Sequence, residues 1–198
     1  MEKVPLLVIV GPSGVGKTTL YTMLLNEFRE FIELSISYTT RAMRKNEQHA
    51  VNYYFITKEE FKAMKEQKKF LECASYVGND YGTSIDEVDR IRGTGKIPLL
   101  EIEINGYRQV MKQNIPVRGV FLTIGDTETL RQRIMKRGSD QRDVDLRLQR
   151  ALEEIDEAKK CNFDLTLVNE DLATTYATLR ENVIKWYGSI LPPNTGKN

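Results

Sequence analysis

Histidine is almost missing from this chain: His49 is the only one in 198 residues. Triads built on histidine and histidine-rich metal centres are thereby nearly excluded, and His49, set among polar residues after Lys45, reads as a loop residue. Cysteine is scarce as well. Cys73 and Cys161 stand alone with no CxxC spacing, which argues against a disulfide framework or a thiolate zinc site and leaves two reduced thiols. An excess of one charge is also lacking. Lys and Arg number 29 against 28 Asp and Glu, a net charge of +1, without the basic surplus that a bulk nucleic-acid or membrane-surface binder carries. No apolar run is long enough to span a bilayer, and the short one near the start is too short for a signal peptide. These absences lead us to expect a cytoplasmic protein that binds neither nucleic acid nor membrane; separately, a monomer or weak dimer is the expected state.

What remains is an ordinary globular composition, 40% hydrophobic, in about one domain's length. No internal repeat or low-complexity segment interrupts it. Residues 4–10 form a continuous apolar run of the kind that parallel sheets bury on both faces. Residues 17–28 follow with Leu20, Met23, Leu24 and Phe28 at helical spacing. Further strands are expected at 32–37, 53–56, 70–77, 80–83, 97–104, 117–124 and 165–168. Helices are expected from the capping boxes Thr57-Lys-Glu-Glu60 and Ser84-Ile-Asp-Glu87, and over 126–137, 144–160 and 171–191, with a turn at 138–140. Residues 38–52 read as a polar loop and the tail 192–198 as disordered. Alternation of apolar strands with helices predicts an α/β fold with a parallel sheet flanked by helices. Residues 38–90 break that rhythm with short strands, aromatics and turns, as an inserted, antiparallel lobe would.

Between the first strand and the first helix lies Gly11-Pro12-Ser13-Gly14-Val15-Gly16-Lys17-Thr18-Thr19, which fits GxxxxGK[ST] in the strand–turn–helix context that this phosphate loop needs. Its glycines let backbone N–H groups turn toward phosphate oxygens, and the helix N-terminus adds a favourable dipole. Lys17 is placed to reach the β- and γ-phosphates of ATP, and Thr18 to offer its hydroxyl to Mg2+. No NKxD-type guanine motif of a switch GTPase is present, and the chain is short for a large ATPase. The polar inserted lobe and a late Arg-rich helix favour a nucleoside monophosphate kinase.

Several further motifs occur in order: Ser37-Tyr-Thr-Thr-Arg41-x-x-Arg44, Tyr53-Tyr54-Phe55, Phe70-Leu71-Glu72 and Gly78-Asn-Asp-Tyr81-Gly82-Thr83. Together with GPSGVGKT they resemble the guanylate kinase family over nearly the whole chain. The resemblance implies a P-loop NTPase core (about 1–37, 91–129 and 151–191), a mixed α+β GMP-binding lobe (about 38–90) and a helical lid (about 130–150). It implies ATP and GMP as substrates, with dGMP an open question, Mg2+ as cofactor and a place in purine nucleotide metabolism. Arg41 and Arg44 would clamp the GMP phosphate, since guanidinium forks match phosphate oxygens; Tyr53 and Tyr81 would add hydroxyls. Ser37, Glu72 and Thr83 would recognise guanine. Arg137 and Arg147 would stabilise the transferring phosphoryl group, Arg133 would lie near ATP and Asn169 near adenine. Competing readings stay open: Arg41 and Arg44 as solvated loop charges, Tyr53 as lobe core, Glu72 as half of a surface ion pair, Arg150 as the i,i+4 salt-bridge partner of Glu154.

The chain departs from the family's D-x-D-x-Q-G segment, which here is Glu101-Ile-Glu103-Ile-Asn105-Gly106. Glu101 would contact guanine or nearby water, and Glu103 would hold the water shell of Mg2+ or orient the acceptor. Each extra methylene moves a carboxylate by about 1.5 Å, and misplacement of that order can cost roughly a hundredfold in rate. Two alternatives follow: a non-enzymatic, peptide-binding module of the same fold, or a kinase with another phosphorylated acceptor. Replacing Lys17 by Ala should abolish ATP turnover in a coupled ADP-release assay; retained turnover would sink the phosphate-loop assignment.

Overall fold

Strand β1 (Leu6–Val10) is buried at every position, and its residues serve two cores at once. Leu7 and Ile9 face one side, where Leu20, Leu24, Leu179 and Val183 meet them. Leu6, Val8 and Val10 face the other, against Val88, Tyr107 and Val110. Alternation along a strand makes this division, and full burial of each such side chain stabilises the fold by about 1.5–3 kcal/mol.

The molecule is described from a computed structural model, which covers residues 4–76, 78–135 and 141–191. After β1 come α1 (Lys17–Glu27) and β2 (Ile32–Leu34), then β3 (Tyr38–Thr39), β4 (Tyr54–Phe55), α2 (Lys58–Glu66), β5 (Phe70–Tyr76) and β6 (Asn79–Ser84). The chain continues through α3 (Ile85–Gly93), β7 (Ile97–Ile102), α4 (Ile104–Met111), β8 (Val117–Thr123) and α5 (Thr127–Met135), and ends with α6 (Gln141–Ala158), β9 (Leu165–Val168) and α7 (Leu172–Tyr187). The expected turn at 138–140 and the tail 192–198 lie outside the described residues.

Two sheets result. The larger is parallel throughout, in the order β2-β7-β1-β8-β9. The helices that follow the neighbouring strands β1 and β7 pack on opposite faces of it, so the strand order has a switch point beside β1, and ligands of open α/β sheets bind at the carboxyl ends beside such a point. The smaller sheet has the order β4-β3-β6-β5. It is mixed, because β3 pairs parallel with β4 while β3–β6 and β5–β6 are antiparallel. The antiparallel pairing expected of the insertion holds for β3–β6 and β5–β6, and the parallel β3–β4 pair is the exception. Stacked rings hold this sheet and its helix: Tyr38 on Tyr54 at 4.6 Å and Phe61 on Phe70 at 4.5 Å between centroids.

Other differences have local causes. The apolar run 97–104 hides a boundary: the strand stops at Ile102, and Glu103 stands at the N-terminal end of α4 without a side-chain capping bond, a helix that the sequence reading missed. The polar stretch 38–52 begins with the two residues of β3. On α6, Leu148 and Ala151 are buried, but Leu152 is exposed. The Thr57 capping box is complete: Thr57 Oγ1 accepts the Glu60 N–H at 3.1 Å and Glu60 Oε2 accepts the Thr57 N–H at 2.7 Å. At Ser84 the hydroxyl caps the Glu87 N–H, but the buried Glu87 carboxylate turns elsewhere. It accepts from Arg90, from the Ile36 N–H at 3.4 Å and from the Tyr54 hydroxyl at 3.5 Å, which fastens the larger sheet's helix to the smaller sheet. Removing the α2 cap by Thr57→Ala should cost about 1 kcal/mol and lower Tm by about 2–4 °C in thermal denaturation.

Candidate active site

The loop between β1 and α1 sits at the switch point. Gly16 serves as N-cap with φ 101° and ψ 17°, a left-handed conformation that glycine adopts without strain. Space also demands it, since a Cβ there would lie 2.5 Å from Asn169 Nδ2. No side chain caps the helix, which leaves its first-turn N–H groups open to an anion at the cleft that Gly16, Lys17 and Thr18 line. Lys17 Nζ donates to the carbonyls of Gly11 at 2.5 Å and Pro12 at 3.1 Å, and stands 3.8 Å from the Glu101 carboxylate. Thr18 and Thr19 are exposed; Pro12 and Val15 are buried parts of the turn.

Strand register brings the acids here. Ile9 of β1 lies beside Glu101 of β7, and Val10 beside Ile102. Glu101 and Glu103 therefore flank the phosphate loop, and both line a cavity of about 310 Å³ together with Ser13, Gly14, Lys17 and Thr18. The smaller sheet supplies the opposite wall with Ser37, Tyr53, Glu72 and Tyr81, and α6 closes a third side with Arg147, Arg150, Ala151 and Glu154. Those α6 positions are spaced three or four residues apart and share one helical face. Arg150 thus faces the cleft, which the salt-bridge reading did not anticipate. Glu157, a turn beyond Glu154 on α6, meets Arg108 of α4 at 3.1 Å. Arg137 lies outside the described residues.

Glu72 is buried, so the surface ion-pair reading falls. Its Oε1 accepts the Thr83 N–H at 2.9 Å, and Thr83 Oγ1 is 3.4 Å from Ser37 Oγ. Thr83 itself is buried behind these groups. Close approach of α4 depends on Gly106, where a Cβ would lie 2.5 Å from Glu72 Oε2. Tyr53 both packs and lines the cleft: its ring meets Phe55 and Tyr81 edge-on. Arg41 is not a solvated charge. Glu47, which sequence reading passed over, holds it bidentately at 2.7 and 3.0 Å, and the guanidinium lies over the Tyr53 and Phe55 rings. Glu47 also accepts the Arg44 N–H at 2.8 Å, while the Arg44 side chain is exposed.

A second depression lies on the far side of the loop, lined by Thr19, Arg133, Asn169 and Glu170. Arg133 donates to the Val15 and Asn169 carbonyls at 3.3 and 3.2 Å. Asn169 Nδ2 donates to the Val15 carbonyl at 2.7 Å, and its buried Oδ1 has no partner among the described residues.

Burial dominates the electrostatics. Glu72 is pushed up to about 7, chiefly by desolvation, with the Thr83 hydrogen bonds opposing. Glu154 is raised to about 7 by burial and then by the Glu103 charge, with Lys17 opposing. Glu103 is raised by burial, and Lys17 and Arg150 hold it down. The Tyr21 hydroxyl, hydrogen-bonded to Thr18 and Glu101, is pushed up by burial first and by the Glu101 charge second. Mg2+ prefers hard oxygen donors and retains several waters. The exposed Thr18 hydroxyl and the facing Glu101 and Glu103 carboxylates fit that preference. Among the described residues no group of three or more His, Cys, Asp or Glu side chains could hold a metal, so the donor set matches an ion shared with phosphates and water rather than an all-protein cage.

A parallel sheet with a phosphate loop at its switch point, facing a cleft closed by a second sheet and an arginine-bearing helix, defines a P-loop nucleotide kinase. The family model described as guanylate kinase matches residues 3–185. The chain is 39% identical to the guanylate kinase of Schizosaccharomyces pombe over 174 residues, 87% of this chain and 86% of that one. It is 44% identical to the guanylate kinase of Latilactobacillus sakei over 169 residues, covering 84% and 82%. A crystal structure of guanylate kinase from Anaplasma phagocytophilum superposes with a TM-score of 0.72 at 28% identity, covering 96% of this chain and 89% of that one. The chain belongs to the guanylate kinase family.

The raised carboxyls make stability depend on pH. A buried acid whose folded value lies near 7, above its unfolded value of about 4.3, binds more protons folded than unfolded. Its contribution is complete below the unfolded value and is lost as pH rises through the folded one. Glu72→Gln should therefore flatten the fall in Tm between about pH 5 and pH 7.5 relative to the unchanged protein; identical slopes in pH-resolved thermal scans would show that Glu72 does not carry it.

Proposed function

We propose that this protein transfers the γ-phosphoryl group of ATP to GMP, giving ADP and GDP. The observation that carries the reading is the buried Glu72 carboxylate, braced by the Thr83 N–H, in the same cleft as the phosphate loop. An ionised carboxylate suits the N1–H and 2-amino donors of guanine, which adenine does not offer in that arrangement. Ser37 and Thr83 would complete base recognition, with Glu101 nearby. Arg41, Arg44, Tyr53 and Tyr81 would take the acceptor phosphate. On the donor side, the unpartnered Asn169 Oδ1 suits the 6-amino group of adenine, and Arg133 lies beside it.

No general base is needed, because the attacking oxygen belongs to a phosphate monoester largely ionised near neutrality, with a second pKa of about 6. The chain's own part is alignment and charge neutralisation. Lys17 leaves the loop carbonyls for the β- and γ-phosphates, and Arg137 and Arg147 approach the transferring group. Mg2+, held through Thr18 and, by way of water, Glu103, would neutralise charge on the phosphate oxygens. The units at 38–90 and 130–150 act as lobe and lid, closing on the core to exclude water. A cytoplasmic, monomeric or weakly dimeric enzyme without nucleic-acid or membrane partners completes the reading; no described helix is long and apolar enough to cross a membrane.

The test is ADP release in a coupled assay with ATP and Mg2+, offering GMP, dGMP, AMP, CMP and UMP separately. Fast turnover with GMP and little with AMP is expected, and Arg147→Ala should lower kcat about a hundredfold while KM for GMP changes little. Turnover with another acceptor alone would discard the guanine assignment. Binding of GMP without turnover would favour a binding module.

A further inference from the structure

Strand β5 is an edge strand, and such an edge offers a row of unpaired N–H and C=O groups. At Cys73 that edge is occupied by a side chain from the other half of the molecule. Gln109 Oε1 of α4 accepts the Cys73 N–H at 3.0 Å, and Gln109 Nε2 donates to the Cys73 carbonyl at 2.8 Å. Nε2 also lies 3.3 Å from the Asn105 carbonyl one turn back. A carboxamide presents donor and acceptor side by side, as a peptide group does. Gln109 therefore pairs with β5 as a neighbouring strand would.

The place of this contact matters. Residues alternate faces along a strand, and Glu72 and Ala74, on either side of Cys73, both line the cleft. The ladder to β6 is irregular at this point: Phe70 is opposite Ser84, yet Glu72 is opposite Thr83. Such a bulge re-aims a side chain but leaves local pairing broken. A slip of one residue would turn Glu72 away from the cleft. The strand needs a second hold just where its ladder is weakest, and α4 provides it, with Gly106 of the same helix receiving Glu72 Oε2.

We propose that Gln109 is a positioning residue for acceptor-base recognition: its carboxamide pins β5 to α4 at Cys73 and holds the Glu72 carboxylate in register with the base. The inference rests on the reading of Glu72 as the base-recognising group. Two variants separate the parts. Gln109→Met keeps length and loses both hydrogen bonds; Gln109→Glu keeps the acceptor and sets a carboxylate against the Cys73 carbonyl. Steady-state kinetics with GMP, with inosine monophosphate (which lacks the 2-amino group) and with varied ATP give the readout. Both variants should raise KM for GMP about tenfold, reduce the preference for GMP over inosine monophosphate, and leave KM for ATP within about twofold. Unchanged GMP kinetics, or equal rises in KM for GMP and ATP, would overturn the proposal, the latter marking a merely structural role. Should Gln109→Met fold poorly, Gln109→Glu decides. Hydrogen exchange at the Cys73 amide in the unaltered protein adds a check free of mutation: protection supports the pin and rapid exchange refutes it. Glu72→Gln is run alongside. If it leaves the base preference intact, the reading of Glu72 itself fails; if it erases the preference while the Gln109 variants keep it, this inference alone fails.

Discussion

Two strands that share a fully buried neighbour are held at a set height relative to it by their hydrogen bonds. Here β1 is the shared neighbour, with β7 and β8 parallel to it on either side. Because Ile9 lies level with Glu101, the glycine turn after β1 and the acids after β7 emerge together. Everything polar in the cleft depends on that alignment. The first turn of α1, with its free N–H groups, is aimed by the left-handed Gly16, and Lys17 is then within 3.8 Å of Glu101. The smaller sheet and α6 need only face this point to complete an enclosed site.

The enclosure crowds charges of both signs. Glu72, Glu103 and Glu154 are all raised mainly by desolvation, while Lys17, Arg147 and Arg150 share the same walls. Carboxylates that are poorly solvated and partly offset by cations gain most when hydrogen-bond donors arrive. A guanine edge is such a donor group. The longer side chains at 101 and 103 fit this picture: Glu101 lies 3.8 Å from the Lys17 ammonium, and the charges of Lys17 and Arg150 favour the ionised form of Glu103.

Legibility in the sequence followed the distance over which each feature is decided. The phosphate loop, β1 and the Thr57 box are settled by neighbouring residues and could be read directly. The α/β class was readable for the same reason, as were motif positions such as Ser37, Tyr53, Glu72 and Tyr81, which meet in one cleft. Boundaries buried in apolar runs were not readable, and α4 was lost inside 97–104. Features that depend on a partner far along the chain left no local trace. Arg150 is an ordinary i,i+4 partner until α6 is folded against the cleft, and Gln109 is a plain helix residue until β5 lies beside it. Glu47 carried a faint signal, as an acid in a basic loop. The Glu87 box looked complete by pattern, yet its carboxylate is claimed by Arg90, Ile36 and Tyr54.

That last carboxylate has a mechanical consequence. Glu87 of α3 holds the smaller sheet at Tyr54, on the outer strand β4. Gln109 of α4 holds it at Cys73, on the opposite outer strand β5. These two fastenings, together with the unbroken run of β6 into α3, limit the positions that the smaller sheet can take against the larger one. Fewer accessible arrangements mean less conformational entropy to surrender when a nucleotide binds, so more of its contact free energy is left for holding the reacting groups in line.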